Sequence, residues 1–185
     1  TERLAGDFGP QSVTLASDLP IEGGTSGAVL LTNPRFPEVA TDVEKRIVSS
    51  NFFDVLKARL VRGRPLQPSD VRGSQPVVVV NETFARVWLE GDPVGQNVAF
   101  SWGIDGTQTV VGVVADVREG GLDEQPKAAI YIASAQRPHF DMRVMVRTSR
   151  PMSDATDRIR ASVANLDAAP PVIDMRSTDD IVAAS

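Results

Sequence analysis

Few side chains in this sequence have the type and spacing that chemistry needs, and each of those has a plainer explanation beside it. The single histidine, His139, stands between Pro138 and Phe140 with no His or Cys near it, so neither a zinc cluster nor a His-x-Glu signature can be assembled. An exposed loop histidine accounts for it. Cysteine is absent, which removes a thiol nucleophile, a thiolate metal site and a disulfide framework together. Asp116, Glu119, Asp123 and Glu124 offer in principle an acid/base pair for a hydrolase. A charged surface turn explains them without chemistry. Gly24-Thr25-Ser26-Gly27 lacks the spacing of a nucleophile elbow. Gly23, Gly24 and Gly27 lack both the terminal Lys-Ser/Thr of a phosphate loop and a strand feeding directly into a helix, so a turn is the reading taken for them. There is no Walker A sequence, and any ATP dependence has to come from a partner. Arg59, Arg62, Arg64 and Arg72 cluster in sequence and suggest an anion site; a solvated loop in which Arg64 bonds a carboxylate such as Asp70 is the alternative, and the plainer one. Asn81-Glu82-Thr83 matches the glycosylation pattern, yet it sits where a strand hands over to a helix, and Asn81 is read as the helix cap. The expected site is therefore empty of catalytic, cofactor-binding and metal-ligating residues.

Composition sets the outer limits. The 185 residues carry a net charge of −5 from 19 basic and 24 acidic side chains, which argues against nucleic acid as the natural partner, because phosphate backbones are met by a basic footprint. With 42% hydrophobic and 23% charged residues the chain has a folded protein's composition. Its length suits one ordinary domain or two small ones, at roughly 100 to 200 residues each. No apolar run approaches the roughly 20 residues that cross a bilayer as a helix.

The stretch 76–117 organises the rest. Residues 77–80 are four consecutive valines, a run that suits a strand covered on both faces. Phe84, Val87 and Trp88 follow at helical spacing and give the next helix one apolar face. Gly91, Pro93 and Gly95 end it, and 98–102 with 109–114 read as a hairpin whose tip is 103–106. Upstream, strands are expected at 11–17, 28–32 and 44–48, with a loop over 19–27. A short helix capped by Ser50 or Asn51 carries Phe52, Val55 and Leu56, and Gly63 and Pro65 turn the chain out of it. Downstream, 128–132 is a strand, and 142–148 alternates so that Val144 and Val146 face one way and Arg143 and Arg147 the other. Pro151 opens a helix with Met152, Ala155, Ile159, Val163 and Leu166 on one face, and 172–176 supplies a last strand, closing a βαβ-type unit.

The segments VVVVNETFARVWLEGDPVGQNV, TVVGVVADVRE and AIYIASAQ, in that order and after VSSNFFDVLKARLVRGRPLQPSD, resemble the extracytoplasmic domain of MacB-like and FtsX-like ABC transporter permeases. Gly63, Arg64 and Asp70 occupy the family's Gly-Arg turn and the acidic residue after it. The likeness runs from about Val13 to Ile181. Ala133 follows the tyrosine strand where family members often place a proline.

What the resemblance implies is an α/β (α+β) fold in two subdomains: a discontinuous, porter-like, membrane-proximal part from residues 1–52 and 128–185, and a smaller inserted, membrane-distal part from 53–127. It implies a non-enzymatic domain on the periplasmic side of a cytoplasmic-membrane permease. That permease dimerises, pairs with a cytoplasmic ABC ATPase that binds the ATP, and in some systems works with a periplasmic adaptor. The domain would pass ATP-driven motion of the membrane helices to substrate export or to extracytoplasmic signalling. Together with the start at Thr1 and the stop at Ser185, it also implies a fragment flanked by membrane helices. Phe100 and Trp102, near the hairpin tip, are the candidate interface residues; packing beneath the hairpin is the other reading of them, and general burial tendencies put it first. Two alternatives stand beside the transport reading: a regulatory module that recruits and activates a cell-wall hydrolase, and a free-standing hydrolase built on the carboxylates of 116–124.

Overall fold

The computed structural model describes residues 2–19, 25–27, 29–31, 43–100, 106–117, 125–164 and 175–177. In chain order, α1 is Glu2–Phe8, β1 Val13–Ala16, β2 Thr25–Gly27, β3 Val29–Leu31 and β4 Val43–Val48; α2 is Phe52–Leu56, β5 Leu60–Gly63, β6 Val77–Asn81 and α3 Glu82–Trp88. Then come β7 Asn97–Phe100, β8 Thr107–Val114, β9 Ala129–Ala133, β10 Arg143–Val146 and α4 Met152–Ala164. The ten strands among the described residues join one mixed sheet in the order β10-β1-β4-β9-β6-β8-β7-β3, with β2 on β4 and β5 on β8. Two pairings are parallel, β4 with β9 and β6 with β8. The rest are antiparallel.

The four valines do what an all-apolar strand must. Val78 and Val80 enter one core with Phe84, Ala85 and Leu89 of the α3 region, Val110, Ile130 and Ile132. Val77 and Val79 enter the other with Phe52, Phe53, Leu66, Ala129 and Tyr131. Both faces of the sheet centre are therefore dry, α3 covering one and α2 the other. On the α2 side the Phe53 and Tyr131 rings meet edge to face at 4.9 Å and Phe52 and Phe53 at 5.5 Å, a geometry worth about 0.5–1.5 kcal/mol per pair beyond burial. Because β7 returns from α3 and β8 turns back on it as a hairpin, β8 comes to lie parallel to β6.

Several local expectations change. Residues 25–27, expected in a loop, form β2 against Val43–Lys45 of β4, and 60–63, expected to lead out of a helix, form β5 against β8. In both places a paired neighbour distant in sequence overrides weak local propensity. Asn51 does stand at the N-cap of α2 but makes no side-chain cap; its amide donates to Val13 O at 2.9 Å and ties the helix to β1 instead. Val87 points outward at 51% exposure, and α3 buries Phe84 and Ala85. On β10 the sides are exchanged: Met145 packs on the core while Val144 is 47% exposed. Helix α4 buries only Ala155 among its described side chains and leaves Met152 exposed. Ala133 does not end the tyrosine strand but belongs to it, paired with Val48. The expected strand at 172–176 lies largely outside the described residues.

Candidate functional site

The Gly-Arg turn is where sequence and packing meet most tightly. Gly63 has φ +67°, and a Cβ there would fall 2.2 Å from Val111 O; a Cβ on Gly112 would fall 2.0 Å from Arg64 O. Only glycines let β5 lie this close to β8. The Arg64 N–H then donates to Val111 O at 2.9 Å, and its guanidinium grips Asp70 with both forks, Nη1 to Oδ2 at 2.8 Å and Nη2 to Oδ1 at 2.9 Å. The Gln67 N–H adds a third bond to Asp70 at 2.7 Å. Burial pushes the Asp70 carboxyl up, but the bonds from Arg64 and Gln67 and the Arg64 charge together prevail, and it sits below its ordinary value. Between the two partners, Leu66 plugs the α2-side core at 2% exposure. The 64–70 loop is thus a closed lock with a structural task.

A second polar node ties strand, helix and neighbour together. Asn81 is fully buried, and its Oδ1 accepts from the Phe84 N–H, capping α3, and from the Ala129 N–H of β9, each at 2.9 Å. Its Nδ2 donates to Lys127 O at 2.8 Å. One side chain therefore bolts β6, α3 and the start of β9 together, and the glycosylation reading of Asn81 has no access to its amide. Asp116 completes the α3 N-terminus by accepting from the Thr83 N–H at 2.9 Å and the Thr83 hydroxyl at 2.8 Å. It serves the helix it faces.

Beside this node lies an open cleft of about 520 Å3 between α3 and β5. Val61, Ala85, Leu89 and Val113 form its apolar lining, and Arg62, Glu82, Arg86 and Asp116 its polar one. Each of these four charges has a neighbour: Arg62 meets Asp92 at 3.3 Å, Glu82 meets Arg59 at 4.0 Å, and Arg86 donates to Thr83 Oγ1 at 3.2 Å beside Asp116. No described nucleophile and base converge in it, and no group of three metal-capable side chains occurs among the described residues.

Of the residues singled out by sequence, the structure separates more than it joins. His139 is exposed. Glu119, Asp123, Glu124 and Trp102 lie outside the described residues, and Phe100 ends β7 with its backbone paired to Val29. The arginine cluster is dispersed: Arg59, Arg62 and Arg64 each meet a different carboxylate, while the Arg72 N–H bonds Ala135 O at the far end of the sheet. The role of Gln136, which receives the Val77 N–H and donates to Ser74 and Gln75, had no signal in the sequence, since its partners lie about sixty residues away.

Comparison with known proteins follows from this geometry. The family described as the MacB-like periplasmic core domain matches residues 11–164. No curated protein matches the sequence. Among solved structures, the periplasmic region of MacB from Actinobacillus actinomycetemcomitans superimposes with a TM-score of 0.55 at 19% identity, over 82% of this chain and 64% of that one. The extracellular domain of the ABC-type transporter YknZ from Gram-positive bacteria gives 0.54 at 18% identity, over 88% of this chain and 76% of that one. At such identities the likeness is one of fold, and this chain spans less than two thirds of the MacB periplasmic region.

Proposed function

The chain belongs to the family of MacB-like periplasmic core domains, and from that premise we propose that it is the extracytoplasmic head of an ABC transporter permease. In this reading it works by being moved and not by catalysing a reaction. The permease dimerises in the cytoplasmic membrane, a cytoplasmic ATPase partner binds and hydrolyses ATP, and the head passes the motion of the membrane helices to substrate export or extracytoplasmic signalling. It needs no cofactor of its own. The observation that carries this reading is mechanical. Helix α1 packs on α4, with Ser162 donating to Asp7, so segments 155 residues apart share one side of the molecule. From there a single hydrogen-bonded sheet runs unbroken to β7 and β3. A displacement applied at the α1–α4 side is transmitted through the sheet as a rigid-body shift.

The division into residues 1–52 with 128–185 and residues 53–127 belongs to the same proposal. The two parts meet along the β6–β9 and β3–β7 pairings, and any relative movement has to be absorbed there.

These 185 residues hold no cysteine, so one introduced here is the only thiol of this stretch. Single cysteines at Ser162, on the α1–α4 side, and at Gln75, on the loop before β6, are introduced into the parent permease in its native cells. Both label with a membrane-impermeant maleimide in intact cells if the head is extracytoplasmic; labelling only after permeabilisation refutes the reading. Spin labels at the same positions separate the two functions: ATP turnover moves the head relative to the membrane while distances within the sheet stay constant. Distances that ignore ATP turnover, with export intact after deletion of the head, favour the recruiting module instead.

A further inference from the structure

At the end of the sheet away from α3's N-terminus, two loops are clamped face to face. The Arg72 N–H donates to Ala135 O at 3.0 Å. Gln136 accepts from the Val77 N–H at 3.2 Å and donates from Nε2 to Ser74 Oγ at 3.0 Å and Gln75 O at 2.7 Å. This staple holds open a cavity of about 160 Å3, whose lining includes Arg72, Ser74, Gln108, Ile132, Gln136 and Arg137.

Several arginines, Arg86, Arg147 and Arg160 among them, have no carboxylate within 4.0 Å among the described residues, and two more of that kind share this hollow. Arg59, Arg62, Arg64, Arg143, Arg150 and Arg158 each have a carboxylate within 4.0 Å. Among the described residues Arg72 and Arg137 have none, although both line the same small cavity. A third cation stands close by: the Lys45 ammonium is held below its ordinary pKa first by burial and then by the positive charge of Arg137, against an opposing pull from Asp18. In a chain of net charge −5, two arginines line one hollow with no carboxylate of the described residues paired to either, an arrangement suited to an anion from outside.

We propose that this cavity is an oxyanion site, taking one phosphate-sized group between the Arg72 and Arg137 guanidiniums. Guanidinium forks match the oxygens of phosphate in pairs, which a lysine cannot do. The cavity is well below the roughly 300–1,000 Å3 of a site for a whole organic ligand, so it holds a group and not a molecule. Ile132 supplies an apolar wall. Gln108, 6% exposed, also lines the cavity. The group comes either as free phosphate or as the terminal phosphate of a lipid headgroup. The site stands whether or not the transport reading holds.

The test uses the 185-residue chain. Inorganic phosphate is titrated at low ionic strength while the Arg72 and Arg137 side-chain N–H signals and the backbone of 135–137 are followed by NMR. In parallel, the chain is sedimented with phosphatidylcholine vesicles with and without phosphatidic acid. Saturable shifts are expected at both arginines, weakened about tenfold in Arg72→Gln and in Arg137→Gln, relieved by added salt and unchanged in Arg160→Gln on the exposed face of α4. Thermal unfolding checks that each variant keeps its fold. Phosphate shifts without vesicle binding make the free ion the ligand; sedimentation with phosphatidic acid that both variants lose makes it the lipid. Absence of saturable shifts together with vesicle binding that ignores both variants overturns the site, as does phosphate affinity equal in the native chain and both variants.

Discussion

Replacing Asp70 by Asn isolates the contribution of the lock between the Gly-Arg turn and the 64–70 loop. The substitution keeps the shape and removes the charge, so Arg64 loses one of two acceptors at 2.8 and 2.9 Å and the Gln67 N–H loses a charged partner. Hydrogen bonds to a charged group contribute about 1.5–3 kcal/mol each. Arg64 keeps 35% of its side chain in water against 7% for Asp70, and solvent takes over part of what the arginine loses. The expected net cost is about 2 kcal/mol, which for a chain of this size lowers the melting temperature by roughly 4–8 °C. Urea unfolding followed by circular dichroism measures it, and a double-mutant cycle with Arg64→Gln should return a coupling of about 1–2 kcal/mol. The pH dependence gives an independent check. Because the folded carboxyl titrates below its unfolded value of 3.8, its contribution is complete well above that value and is lost as pH falls through the lower folded pKa. Native protein should therefore shed its advantage over Asp70→Asn on acidification below about pH 4. A cost under about 0.5 kcal/mol, or a difference between the two proteins that does not shrink in acid, refutes the argument.

Gly63→Ala meets both a left-handed φ and the Val111 carbonyl, and should cost about 3 kcal/mol or more by urea titration; a near-neutral result would mean that β5 can peel from β8 at no loss. Asn81→Ala strips the Phe84 N–H, the Ala129 N–H and Lys127 O of a buried partner, and a loss of about 3 kcal/mol is expected. Expressed through a eukaryotic secretory route, the native chain should show no glycosidase-sensitive mass at Asn81, and such a mass would contradict the burial of that amide. Lys57 ends α2 at φ 56°, so Lys57→Gly should raise stability by about 0.5 kcal/mol, the strain relieved exceeding the added freedom of the unfolded chain; a lower melting temperature would speak against it.

The sequence by itself determined what depends on neighbours a few residues apart. Four valines in a row had to be covered on both faces, and Val77 and Val79 face one core, Val78 and Val80 the other. Asn81 reads as a cap and caps α3, the hairpin after it forms, and Arg64 finds Asp70 six positions on. The family was legible too, because the order of those local signals survives where overall identity does not. Tertiary structure alone decided which edges pair and which faces are buried. Short strands such as β2 and β5 carry too little local preference to declare themselves and exist because β4 and β8 offer open edges. Val87 and Val144 share the spacing of buried residues yet lie outward, since a periodic pattern marks a face and not what will cover it. The hollow lined by Arg72 and Arg137 was invisible for the same reason: residues 65 positions apart come to share a cavity only when β6 and β9 pair.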